Sequence, residues 1–167
     1  MKKFAILCLF LLAAMSGAFA QKAFGAPQRI LLAYELVDKG IDPWRAYFRD
    51  EYSSPDYVLE EIEASKLSAM KPSDYDFIIV YGAVMAFTSK EPIRDWLNTN
   101  PKLAQKNVGL FVTANRWFLK KYNDQLLSLL KKSGATVVDA VSAETKKLSD
   151  KEKQQLVHTF AQKVKRY

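Results

Sequence analysis

Four short runs along the chain are apolar at nearly every position: Arg29–Tyr34, Asp76–Gly82, Asn107–Thr113 and Ala135–Asp139. Continuous rather than alternating hydrophobicity marks strands covered on both faces, as in a parallel sheet. Lys66–Met70 reads as a short edge strand. Between these runs the apolar spacing changes to that of helices. Ser54-Pro55 has the form of an N-cap followed by proline at the first helical position, predicting a helix to about Ala64. Thr88 or Ser89 opens another, with Ile93, Trp96 and Leu97 at helical spacing. Asn115 caps a third, whose stripe is Leu119, Tyr122, Leu126, Leu129 and Leu130, and Gly134 stops it. Ser149 and Glu152 form a capping box for a last helix with the stripe Leu156, Val157, Phe160 and Val164. Strands alternating with helices give an α/β fold with a mostly parallel sheet.

The amino terminus departs from this pattern. Lys2 and Lys3 precede an apolar run that ends in Ala18-Phe19-Ala20, small residues at both positions a signal peptidase reads. Residues 1–20 are therefore expected to be a cleaved signal peptide and residues 21–167 one domain, exported to a periplasm or secreted. No other stretch is long and apolar enough to span a bilayer. Cleavage leaves 23 basic and 18 acidic residues, a net charge of +5. The lone cysteine, Cys8, leaves with the signal, which excludes disulfides, thiolate metal sites and a cysteine nucleophile. A single histidine, His158, argues against a zinc cluster or a serine–histidine triad, so no catalytic set and no metal site is expected. His158 itself lies off the last helix's apolar stripe and reads as a surface residue.

Asp74–Phe87, followed by Glu91-Pro-Ile-Arg-Asp-Trp-Leu97, resembles the central strand, flavin loop and next helix of flavodoxins. Lys106–Thr113 resembles the following strand, and the run through Trp117 to Gly134 is similar to the flavodoxin-type protoporphyrinogen oxidase branch. The resemblance covers most of residues 28–165. It implies a flavodoxin-like three-layer sandwich with strand order 2-1-3-4-5, and FMN bound outside the carboxyl ends of strands 1 and 3. It assigns Gly82 to the strand exit, Phe87 and Thr88 to the loop against the flavin ring, and Thr113, Ala114 and Asn115 to the third flavin loop. The activity it implies is FMN-dependent electron transfer.

The resemblance breaks after strand 1. The family carries a serine/threonine- and glycine-rich loop there, whose hydroxyls and N–H groups hold the FMN phosphate. This chain reads Glu35-Leu-Val-Asp-Lys-Gly-Ile-Asp42, with no serine or threonine before Ser53. The phosphate loop is degenerate. A second reading follows, in which the fold is kept without flavin and the crevice binds a protein or another small aromatic ligand. Within the 36–53 segment that replaces the loop, Asp42-Pro43 opens a helix over residues 42–52. Trp44, Tyr47 and Phe48 share one face, and Arg45 and Arg49 share another. This helix is expected over the mouth of the crevice. Its aromatic face either packs on the core, leaving the arginines solvated, or serves as a lid or docking surface whose arginines meet an anion; packing is the commoner use. Glu60, Glu61 and Glu63 read as a solvated acidic helix face. Trp117-Phe118 reads as core, or as ligand-facing beside the crevice. The dispersed lysines suit acidic partners or anionic membrane surfaces, not nucleic acid.

Overall fold

The computed structural model describes residues 25–35, 42–84, 92–99, 101–114, 116–144 and 147–167. Five parallel strands form one sheet: β1 (Gln28–Tyr34), β2 (Tyr57–Glu63), β3 (Phe77–Val84), β4 (Asn107–Ala114) and β5 (Thr136–Glu144), in the order β2-β1-β3-β4-β5. The helices are α1 (Asp42–Glu51), α2 (Pro92–Asn98), α3 (Arg116–Lys132) and α4 (Asp150–Val164). This is the strand order that the resemblance implies.

Packing explains the apolar runs. In β1, β3 and β4 nearly every residue is buried, because helices cover both sheet faces. One face is aromatic. Trp44 and Phe48 of α1 meet Phe111, Tyr81 and Phe160, with ring centroids 5.3–6.2 Å apart. The other face is largely aliphatic, with Leu31, Ile78, Val80, Leu110 and Val112 under Leu126 and Leu130 of α3. Each fully buried side chain of this size contributes about 1.5–3 kcal/mol relative to exposure. Glycine serves close approach at two positions. A Cβ on Gly109 would meet Phe160 Cζ at 2.5 Å, and one on Gly82 would meet Leu126 Cδ1 at 2.7 Å.

Both predicted ends of the long helices hold. Gly134 takes φ +81° after α3, where a side chain would be strained. Ser149 accepts a hydrogen bond from the Glu152 N–H, and the Glu152 carboxylate accepts one from the Ser149 N–H, so the capping box is formed.

Three expectations are corrected in the region after α1. The helix expected from Ser54 to Ala64 is instead β2, paired along its length with β1. The edge strand expected at Lys66–Met70 is a 3-10 helix over Ala64–Ala69, followed by a 3-10 turn at Pro72–Asp74. Glu60, Glu61 and Glu63 consequently lie on a strand. They are not a free acidic face either. Glu61 takes hydrogen bonds from Arg45 Nε at 2.7 Å and Arg49 Nε at 2.5 Å, and Glu60 pairs with Arg29 at 3.4 Å. The fifth strand also extends past the predicted Asp139 to Glu144.

The 42–52 helix is also placed differently from expectation. α1 does not lie over the crevice mouth. It packs along the sheet beside α4, with Trp44 1% and Phe48 0% exposed. Packing is therefore the use of its aromatic face. Its arginines are paired, contrary to the solvated expectation. His158 is half-exposed, and its Nδ1 lies 2.8 Å from Glu51 Oε1, tying α4 to the end of α1. No helix of the described residues is long and apolar enough to cross a membrane. Residues 1–20, the expected signal peptide, lie outside the described residues.

Candidate functional site

Strand order reverses between β1 and β3, because β1 leads outward to β2 while β3 leads to β4 and β5. The helices that follow these two strands, α1 and α2, pack on opposite faces of the sheet, and the carboxyl ends at such a reversal are the usual position of a ligand crevice. Its described floor consists of Tyr34-Glu35, Ala83-Val84 and Thr113-Ala114. Register places Ala83 beside Thr113 and Val84 beside Ala114.

Glu35 is the distinctive group. It is 4% exposed, and its N–H donates to the Tyr81 carbonyl at 3.2 Å, so it continues β1 past its last paired residue. Alternation along the strand sends its side chain to the α2–α3 face. There Oε1 accepts a hydrogen bond from the Tyr122 hydroxyl at 2.7 Å, and Oε2 accepts one from the Ile93 N–H at 3.0 Å. The Glu35 carboxyl group thus satisfies an N–H in the first turn of α2 and joins three elements distant in sequence. Sequence reading placed Glu35 at the start of the degenerate phosphate loop. It did not find this internal role, because both partners lie far along the chain and nothing local signals them.

On the opposite face Tyr34 is nearly buried, with the Arg45 guanidinium 4.1 Å above its ring. Arg45 and Arg49 share Glu61. Burial alone would raise the Glu61 carboxyl, but hydrogen bonds from Arg49 and Arg45 outweigh it and hold the group below its ordinary value. The arginines expected to meet an anionic ligand therefore have an anion of their own.

The residues assigned by resemblance are placed as follows. Gly82 lies within β3, two positions before its end, with its α-carbon against Tyr122 and Leu126. Thr113 is 2% exposed, and its hydroxyl lies 3.1 Å from the Tyr81 hydroxyl, so its backbone contributes to the floor while its side chain is engaged inside the protein. Ala114 is 1% exposed at the end of β4. Phe87, Thr88 and Asn115 lie outside the described residues, as does the side chain of Trp117. Phe118, next to it, is 48% exposed and is not core.

The chemistry of the described groups does not fit the phosphate of FMN. Such a site needs N–H groups, hydroxyls or cations converging on an anion. Here the position leaving β1 is a buried carboxylate that already holds two nearby donors. The α1 helix opens on Asp42-Pro43, and a proline contributes no N–H. Among the described residues, no group of three or more histidine, cysteine or acidic side chains is placed to hold a metal.

No protein-family model and no curated protein sequence matches the chain. Solved structures do match in shape. A short-chain flavodoxin associated with a PDU bacterial microcompartment is 15% identical with a TM-score of 0.67, covering 83% of this chain and 97% of that one. The oxidised flavodoxin 2 of Bacillus cereus is 21% identical with a TM-score of 0.61, over 83% and 99% of the two chains. A Fusobacterium nucleatum flavodoxin variant bound to flavin mononucleotide is 9% identical with a TM-score of 0.64, over 84% and 96%. With its sheet order, its helices on both faces and these likenesses taken together, the chain has the flavodoxin-like fold.

Proposed function

We propose that this is an exported flavodoxin-fold binding protein whose crevice works without a flavin phosphate site. The observation that carries the reading is Glu35, a buried carboxylate at the exit of β1, held by Tyr122 and Ile93. A phosphate brought to this end of the sheet meets a carboxyl group rather than a donor, and the two described donors at that carboxyl are already engaged. A phosphate-free aromatic ligand or a protein segment meets neither difficulty. Export rests on the amino-terminal sequence, with its basic start, apolar run and Ala18-Phe19-Ala20.

A second reading is FMN-dependent electron transfer. It is favoured by the crevice at the reversal of strand order and by the solved neighbour whose structure contains flavin mononucleotide. In that case the flavin supplies the redox chemistry, and the protein orients and shields it.

FMN and riboflavin titrations of the purified protein, followed by flavin fluorescence, separate the two. The first reading expects no saturable FMN binding at about 1 µM, equivalent to about −8 kcal/mol. Saturable binding of FMN that riboflavin does not reproduce requires a phosphate site and overturns it. Riboflavin bound as tightly as FMN supports a crevice for phosphate-free aromatic ligands.

A further inference from the structure

The link between β2 and β3 is a six-residue 3-10 helix, Ala64–Ala69, followed by a three-residue 3-10 turn, Pro72–Asp74. Such short elements bring few side chains to a seam. Between them and α2 a cleft of about 430 Å³ stays open. It lies where α2 finishes and the chain enters β3 and β4, near the amino ends of the strands. The crevice at the reversal of strand order is at the opposite, carboxyl ends. The cleft has the size of a small-molecule site.

Its walls are apolar. Leu67 and Met70 face it from the 3-10 side, and Trp96 and Pro101 from the α2 side. Trp96 is 6% exposed and packed in the core, so it offers the cleft a fixed aromatic surface. The charge is one-sided. Lys71 and Lys102, both exposed, reach the cleft from its two sides, and no acidic residue lines it. Among the described residues, neither ammonium group has a hydrogen bond or an ion pair. The end of α2 does not cancel this charge. Thr99 turns its N–H and its hydroxyl back onto the Trp96 carbonyl, at 3.0 and 2.6 Å. The neighbouring groove along β2 is the contrast. Lys71 borders both, but Glu60, Glu61, Glu63 and Asp74 line the groove. An anion is drawn into the cleft and turned away from the groove.

We infer that this cleft binds a small organic anion with a flat apolar body, of the class of aromatic carboxylic acids. The body lies against Trp96 and Met70, whose ring and sulfur suit an aromatic face. The carboxylate meets Lys71 and Lys102, whose three-donor ammonium groups on long stems can follow it to the rim. The inference is independent of what the crevice binds.

The test is a titration of the isotope-labelled protein with 2-naphthoate, beside two molecules of similar shape, neutral 2-naphthamide and cationic 2-naphthylmethylammonium. 2-Naphthoate is expected to bind with a dissociation constant below about 1 mM. It should shift the amide signals of residues 67–71, 96–99 and 102, together with the Trp96 indole signal, and bind more weakly as salt rises. The amide should bind roughly tenfold more weakly, the loss of two exposed charge contacts, and the cation more weakly still. Lys71→Gln with Lys102→Gln should bring 2-naphthoate down to the level of the amide and leave the amide's affinity unchanged. Both lysines are exposed, and the signals of the other residues verify that the double variant is folded. The inference is overturned if 2-naphthoate does not bind in this range, or if it moves only signals at the crevice, residues 34–35 and 113–114. It is equally overturned if the amide binds as tightly as 2-naphthoate, or if the double variant binds 2-naphthoate as the parent does.

Discussion

Gly82→Ala isolates the reason for a glycine in the middle of a buried strand. The added Cβ would lie 2.7 Å from Leu126 Cδ1 and 3.0 Å from Tyr122 Cε1, where ordinary contact begins at 3.4 Å. Relief therefore requires movements of 0.7 and 0.4 Å. Neither neighbour gives way easily. Leu126 is fully buried among other α3 and sheet side chains, and Tyr122 is held by its hydrogen bond to Glu35. Overpacking of this kind costs about 1–3 kcal/mol. In a domain of this size that lowers the melting temperature by roughly 3–10 °C. Urea denaturation followed by circular dichroism measures the loss directly. The companion variant Leu126→Ala alone should cost about 2–5 kcal/mol by leaving a cavity. Combined with Gly82→Ala it should cost less than the sum, because the new methyl enters the space vacated; the coupling should reach about 1 kcal/mol. A Gly82→Ala protein within about 0.5 kcal/mol of the parent, or strict additivity in the double variant, would refute the packing argument.

Three further outcomes follow from the same geometry. Tyr122→Phe removes the hydroxyl that donates to the buried Glu35 carboxylate, and should cost about 1.5–3 kcal/mol in urea denaturation; a change below about 0.5 kcal/mol would show that the bond contributes little. Trp44→Ala should cost about 3–5 kcal/mol because Trp44 is core, whereas a lid residue would leave stability unchanged. Glu61 has a lowered pKa in the folded chain, so the unfolded chain binds the extra proton first as pH falls. Its stabilisation is present above about pH 4.5, fades as pH drops through the folded value, and is on the order of 1 kcal/mol at neutral pH. Glu61→Gln should therefore match the parent in strong acid and fall behind it at neutral pH, which denaturant midpoints across pH will show.

The parts of the fold legible in the sequence are those whose burial is written locally. β1, β3 and β4 are apolar because helices cover them from both sides, and the stripe of α3 repeats at helical spacing because one face meets the sheet. β2 was not legible for the opposite reason. It is an edge strand with no fully buried residue, and Leu59-Glu60-Glu61-Ile62-Glu63 carries the composition of a solvated helix. What makes it a strand is pairing with β1 and the arginines of α1 and β1, none of which is local information. The site divides in the same way. The missing phosphate loop is visible as a missing residue type. The function of the carboxylate that stands there is not, because Tyr122 is 87 residues away.

The connection from β2 to β3 is made of 3-10 turns rather than an α-helix, and this has a consequence for how the molecule comes apart. Hydrogen bonds in such turns are poorly aligned, and here they cover the sheet with little more than Ala64 and Leu67. β2 beneath them is only partly buried. Together they form a corner that should open as a unit well before global unfolding, with β3, β4 and β5 still closed. When it opens, the bared strand is β1, whose residues 30–34 are all apolar and normally hidden. A temporary new edge of that composition is adhesive. Clumping of this protein on gentle warming should therefore follow the breathing of this one corner, and proceed while most of the sheet remains intact.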